Sequence, residues 1–75
     1  KYLYLNGNKL TSLSSETGKL KALTLLNLRE NQLKTLPQEI GKLKALKTLD
    51  LRDNPLNDKE KAKIKKLLPE CDIQF

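Results

Sequence analysis

The chain has 75 residues, which allows one domain near the lower end of what folds unaided. Its 13 lysines and two arginines outweigh nine acids to give +6, yet no arginine cluster or basic–aromatic alternation accompanies them, so the excess reads as solubility. There is no histidine, Cys71 is the one cysteine, and no stretch approaches the roughly 20 apolar residues of a membrane span. Metal sites, imidazole acid–base chemistry, an internal disulfide and a membrane helix are thereby set aside, no cofactor is expected, and no segment reads as a signal peptide.

Asn8, Asn31 and Asn54 stand 23 residues apart, each inside the same short phrase. The phrases are Leu3-Tyr4-Leu5-Asn6-Gly7-Asn8-Lys9-Leu10, Leu26-Asn27-Leu28-Arg29-Glu30-Asn31-Gln32-Leu33 and Leu49-Asp50-Leu51-Arg52-Asp53-Asn54-Pro55-Leu56. A period this short makes each unit a single supersecondary turn that cannot bury its own apolar side. Such units gain a core only by stacking, so the chain is predicted to be an α/β solenoid: a right-handed, parallel-strand horseshoe segment with short helical turns on its convex side. The expected layout is one domain over 1–75, with a partial first repeat (1–22), a full repeat (23–45), the start of a third (46–56) and a C-terminal cap (57–75).

Residues 2–6 form the first predicted strand, with Tyr2 and Tyr4 outward and Leu3 and Leu5 inward. Nothing in the sequence precedes it as a cap, so Leu3, Leu5, Leu10, Leu13 and Leu20 are expected to lie open on one side. Exposed strand edges are covered in natural proteins, here by further repeats, a partner or a second copy of the chain. In the complete unit the inward candidates are Leu23, Leu26, Leu28, Leu33, Leu36, Ile40 and Leu43. Leu26 and Leu28 have the period of a strand, and Leu36, Ile40 and Leu43 that of a helical turn, which Pro37 suits as a start. Only a short α or 3₁₀ turn fits the connection. The first copy has Ser14 and Thr17 where the second has Pro37 and Ile40, so its turn is expected to be looser. The asparagines are expected to bond orphaned backbone groups of neighbouring turns.

After Leu56 the pattern gives way to a predicted helix over 58–68. Asn57 would be its N-cap and Glu60 the reciprocal partner of a capping box. Ile64, Leu67, Leu68 and Cys71 form its apolar face, which makes Cys71 a buried, inert thiol. Lys59, Lys61, Lys63, Lys65 and Lys66 form a solvated face. Beyond Pro69, Cys71, Ile73 and Phe75 alternate as a last strand, and Leu49–Ile73 and Leu51–Phe75 are each spaced by 24, one more than the repeat.

The phrase Leu23-x-x-Leu26-x-Leu28-x-x-Asn31-x-Leu33, matched again from Leu46 to Leu56, resembles the leucine-rich repeat consensus. Its continuation, Leu36-Pro37-Gln38-Glu39-Ile40-Gly41-Lys42-Leu43, is similar to the bacterial 23-residue subclass, leptospiral proteins in particular, and so is the ending Lys65 to Phe75. The resemblance implies protein–protein recognition on the concave face, no catalysis, and a secreted or cell-surface protein engaged in host interaction.

Stacking the copies aligns outward positions into columns: Tyr2, Leu25 and Thr48; Tyr4, Asn27 and Asp50; Asn6, Arg29 and Arg52; Gly7, Glu30 and Asp53. Tyr2, Tyr4 and Leu25 make an apolar–aromatic corner beside a charged strip, and tyrosine and arginine are enriched at interface hot spots. The candidate partner-binding residues are Tyr2, Tyr4, Leu25, Asn27, Arg29, Asp50 and Arg52. Alternatively, Tyr2, Leu3, Tyr4, Leu5 and Leu10 form an edge through which two copies pair as a homodimer. A further alternative is weak binding of anionic surfaces or nucleic acid by the lysines, with Lys19 and Lys42, and Lys21 and Lys44, repeating along the convex side. A small-molecule substrate and a membrane partner are not expected.

Overall fold

Four short strands, β1 (Tyr2–Tyr4), β2 (Leu25–Asn27), β3 (Thr48–Asp50) and β4 (Asp72–Gln74), form one parallel sheet in sequence order in the computed structural model, which describes residues 1–75. The register pairs Leu3 with Leu26, Leu26 with Leu49, and Leu49 with Ile73, so the inward leucine of each strand stacks on the next. The offset of 24 at the last step follows from that pairing. β1 ends at Tyr4, so the first strand is shorter than the 2–6 segment expected. Beyond it the ladder persists as single bonds, with the Leu5 amide donating to the Asn27 carbonyl at 2.8 Å and Gly7 to Arg29 at 2.9 Å.

Each crossover contains one 3₁₀ turn, Ser15–Lys19 in the first coil and Gln38–Lys42 in the second. The first is not looser than the second. Both span five residues, because the Ser14 hydroxyl accepts the Glu16 amide at 3.1 Å and so fixes the start that Pro37 sets by its ring. The turns press together closely. A Cβ on Gly18 would lie 2.6 Å from the Glu39 carbonyl oxygen, so only glycine permits that approach.

Thirteen apolar residues form a single core, among them Leu26, Leu28, Leu33, Ile40, Leu49 and Ile64, all fully buried. Burying one such side chain contributes about 1.5–3 kcal/mol. The asparagines make the predicted bonds. Asn31 Oδ1 accepts the amides of Asn8 at 3.0 Å and Leu10 at 2.9 Å, both in the preceding coil, while its Nδ2 donates to Leu5 at 3.0 Å and Leu28 at 2.9 Å. Asn54 repeats this one coil later, accepting from the Leu33 amide at 3.1 Å and donating to Leu28 and Leu51.

The helix α1 (Asp58–Leu67) replaces the third convex turn, and Leu68 is its C-cap. Asn57 Oδ1 accepts the Glu60 amide at 2.8 Å as expected for an N-cap. The reciprocal half of the capping box does not form. Glu60 instead turns to the second coil, accepting the Leu36 amide at 3.0 Å and pairing with Lys63 at 3.1 Å, whose Nζ donates to the Leu36 carbonyl at 3.4 Å. A buried-side amide of the stack wants an acceptor more than the exposed Asn57 amide does. The cap is thus stitched to the coil it covers.

Candidate functional site: the outward strand face

Alternation along each strand sends one set of side chains into the core and the other onto the outer face of the sheet. The register builds the columns anticipated for the first three strands and extends them, with Asp72 beside Thr48 and Gln74 beside Asp50. Those two positions were missed from sequence, although the Leu49–Ile73 spacing carried the signal. Tyr2 and Tyr4 are 69% and 59% exposed, and their rings meet edge to face with centroids 6.4 Å apart. Leu25 and Thr48 are half-buried beside them. Between Tyr2, Thr24, Leu25, Lys47 and Thr48 lies an open recess of about 240 Å³.

The charged strip is largely self-paired. Asp50 takes the Arg52 guanidinium in two bonds, Nε at 3.0 Å and Nη2 at 2.8 Å, and accepts the Arg52 amide at 3.1 Å. Chiefly those side-chain bonds, opposed by partial burial, hold the Asp50 carboxyl below its ordinary pKa and raise that of Arg52. Arg29 reaches across to the next coil, with Nε 3.2 Å from Asp53. Asn27 accepts the Arg29 amide at 3.0 Å, the same loop-closing bond that Asp50 makes one coil on. Of the seven partner-binding candidates, Tyr2, Tyr4 and Leu25 therefore form a continuous patch, whereas Asn27, Asp50 and Arg52 are engaged in shaping their own turns.

The self-association candidates lie at the other side of the same corner. Leu3, Leu5 and Leu10 are half-buried, and with Leu13 they pack on the core from its N-terminal end. Leu20 is 44% exposed, and a recess of about 340 Å³ opens there, lined by Tyr2, Leu3, Leu20, Ala22 and Leu23 and rimmed by three lysines. The bonds from β1 to β2 run through Lys1 and Leu5, so alternation turns the amides and carbonyls of Tyr2 and Tyr4 to the free edge.

Several lysines of the convex side and of α1 have local partners. Lys19 pairs with Glu16 at 3.1 Å, Lys63 with Glu60, and Lys21 donates to the Lys42 carbonyl at 3.5 Å. Lys61 and Lys65 stand 5.6 and 5.7 Å from the centroid of the Phe75 ring. Cys71 is half-buried rather than buried, because the helix ends before it and the chain is already turning into β4. Burial first, and the charge of Asp72 second, push its thiol pKa up, so the thiolate that a nucleophile requires is disfavoured. No three metal-ligating side chains converge anywhere, and no helix is long and apolar enough to cross a membrane.

One strand per 23-residue coil, a parallel sheet and an internal asparagine ladder define a stacked repeat protein. A leucine-rich repeat family model matches residues 1–56 and a second one matches residues 45–70, so the chain belongs to the leucine-rich repeat family. Among solved structures, a leucine-rich repeat protein of Leptospira interrogans is 52% identical and superposes with a TM-score of 0.99 over 100% of this chain. This chain spans 19% of the length of that one. No curated protein matches it. The likeness supports a bacterial leucine-rich repeat protein, a class whose members serve in general as non-catalytic protein-interaction modules.

Proposed function

We propose that the domain binds another protein through its concave strand face, and that Tyr2, Tyr4 and Leu25 are the anchors of that contact. The observation that carries this reading is the exposure of both tyrosines next to an outward leucine on a rigid sheet. Outward strand positions in a solvated sheet are ordinarily polar, and an aromatic–aliphatic patch there has apolar area to bury against a partner. Arg29 is the polar rim of the site. Its pair with Asp53 is exposed, so little is lost if a partner carboxylate takes over the guanidinium.

The test compares the native domain with Tyr4→Ala and with the double variant Leu25→Ala, Arg29→Ala. Each is immobilised, proteins are captured from extracts of bacterial and host cells, and the affinity of the captured partner is then measured by calorimetry. The Tyr4 change is expected to weaken binding by about 2 kcal/mol, roughly thirtyfold, with circular dichroism unchanged. Equal affinity of native and both variant domains for the partner would remove the concave face from consideration.

A further inference from the structure

We propose that the N-terminal end of the stack is a docking surface for one further coil of the same leucine-rich repeat, recognised through the side-chain oxygen of Asn8. Each later asparagine uses its oxygen on the coil before it: Asn31 Oδ1 holds the amides of Asn8 and Leu10, and Asn54 Oδ1 holds that of Leu33. Asn8 occupies the same position in the first coil. Its Nδ2 is anchored by the carbonyls of Leu5 at 2.9 Å and Asn6 at 3.3 Å, which fixes the amide plane, yet its Oδ1 accepts no bond within the molecule. The acceptor is preorganised for two backbone amides arriving from the open side.

Two other levels of the same end ask for the same occupant. At the strand level the free amides and carbonyls of Tyr2 and Tyr4 await a parallel neighbour, as β1 itself is to β2. At the convex level Leu20 is 44% exposed where its counterpart Leu43 is 1% exposed, and the recess of about 340 Å³ beside it has the place of a stacked leucine. The convex contact also sets a sequence requirement. Gly18 lies over Glu39, and Glu16 is the counterpart of Glu39 one coil earlier, so the arriving turn needs a glycine opposite Glu16. A second copy paired edge to edge about a two-fold axis fits less well. Its β1 would run antiparallel, carrying its Asn8 loop to the opposite end, and neither Asn8 Oδ1 nor Glu16 would meet its match.

The experiment fuses a copy of residues 24–46 ahead of Lys1, which keeps the 23-residue phase because Tyr2 pairs with Leu25. Amide hydrogen exchange is followed at Tyr2 and Tyr4 in the fused and unfused chains. The expected result is slowing at both residues by about a hundredfold or more, together with a higher urea midpoint. Replacing the copy's counterpart of Gly41 with Val should abolish the slowing. Asn8→Ala should lower the midpoint more in the fused chain than in the unfused one, since only the former uses Oδ1. Unchanged exchange, a fused chain that does not fold cooperatively, or an equal loss from Asn8→Ala in both would overturn the proposal. So would an unfused chain that sediments as a dimer with Tyr2 and Tyr4 already protected, which would assign the surface to a second copy.

Discussion

Replacing Asn31 with alanine strands two amides, those of Asn8 and Leu10, whose only acceptor is the Asn31 oxygen. The carbonyls it serves fare better, because Leu5 also receives Asn8 Nδ2 and Leu28 also receives Asn54 Nδ2. Two partly buried donors without partners cost about 3 kcal/mol together. Asn54→Ala leaves the Leu33 amide without its acceptor and should cost less, and Asn8→Ala, which strands no amide, less again. Urea midpoints should fall in that order, and equal losses at the three positions would contradict the ladder. Asp50 makes a second residue-scale prediction. Its folded pKa lies below its unfolded one, so its contribution is present above the ordinary carboxylate value near 3.8 and is lost as pH falls through the folded value. Asp50→Asn should therefore flatten the acid limb of a stability–pH curve between about pH 2 and 5 while leaving its shape near neutrality unchanged.

Among the elements, α1 depends more on its stitch to the second coil than on its own cap. Asn57→Ala removes one N-cap bond, worth about 1 kcal/mol. Glu60→Ala removes the acceptor of the Leu36 amide and the partner of Lys63, which should cost about 2 kcal/mol, and Glu60→Gln should restore most of it because the amide oxygen still accepts. Thermal midpoints of the three variants decide this; a larger loss from Asn57→Ala would show that helix propensity governs the cap. The same helix shows where sequence reasoning stops. Its start, its apolar face and its N-cap are legible because they depend on spacings within one segment. The choice Glu60 makes between the Asn57 amide and the Leu36 amide depends on a coil 24 residues away, whose distance no local spacing reveals. The strand columns were legible for the complementary reason, since an exact period turns sequence phase directly into spatial neighbourhood. The pairing of Asp50 with Arg52 was not, because several opposite charges lie within reach of each other and side-chain torsions choose among them.

For the molecule as a whole, protection should be graded along the stack. No leucine of the first coil is fully buried, whereas Leu26, Leu28, Leu49 and Leu51 in the middle are. Native-state hydrogen exchange should give β2 and β3 amides opening free energies close to the global value and β1 amides clearly lower ones. Uniform protection from β1 to β3 would mean that the coils do not open separately. The α1 amides should follow β3 rather than β1, because Ile64 is fully buried and Glu60 is tied to the second coil.

The strand order β1-β2-β3-β4 places the two chain ends on opposite edges of the sheet. A stretching force applied to the termini therefore runs across the strands, along the hydrogen bonds, and loads the outermost strand alone rather than shearing a whole ladder at once. Held in an optical trap, the domain should yield at low tension by peeling coil after coil. Each complete 23-residue coil released should lengthen the tether by about 80 Å of extended chain, less the roughly 5 Å of stack it had occupied.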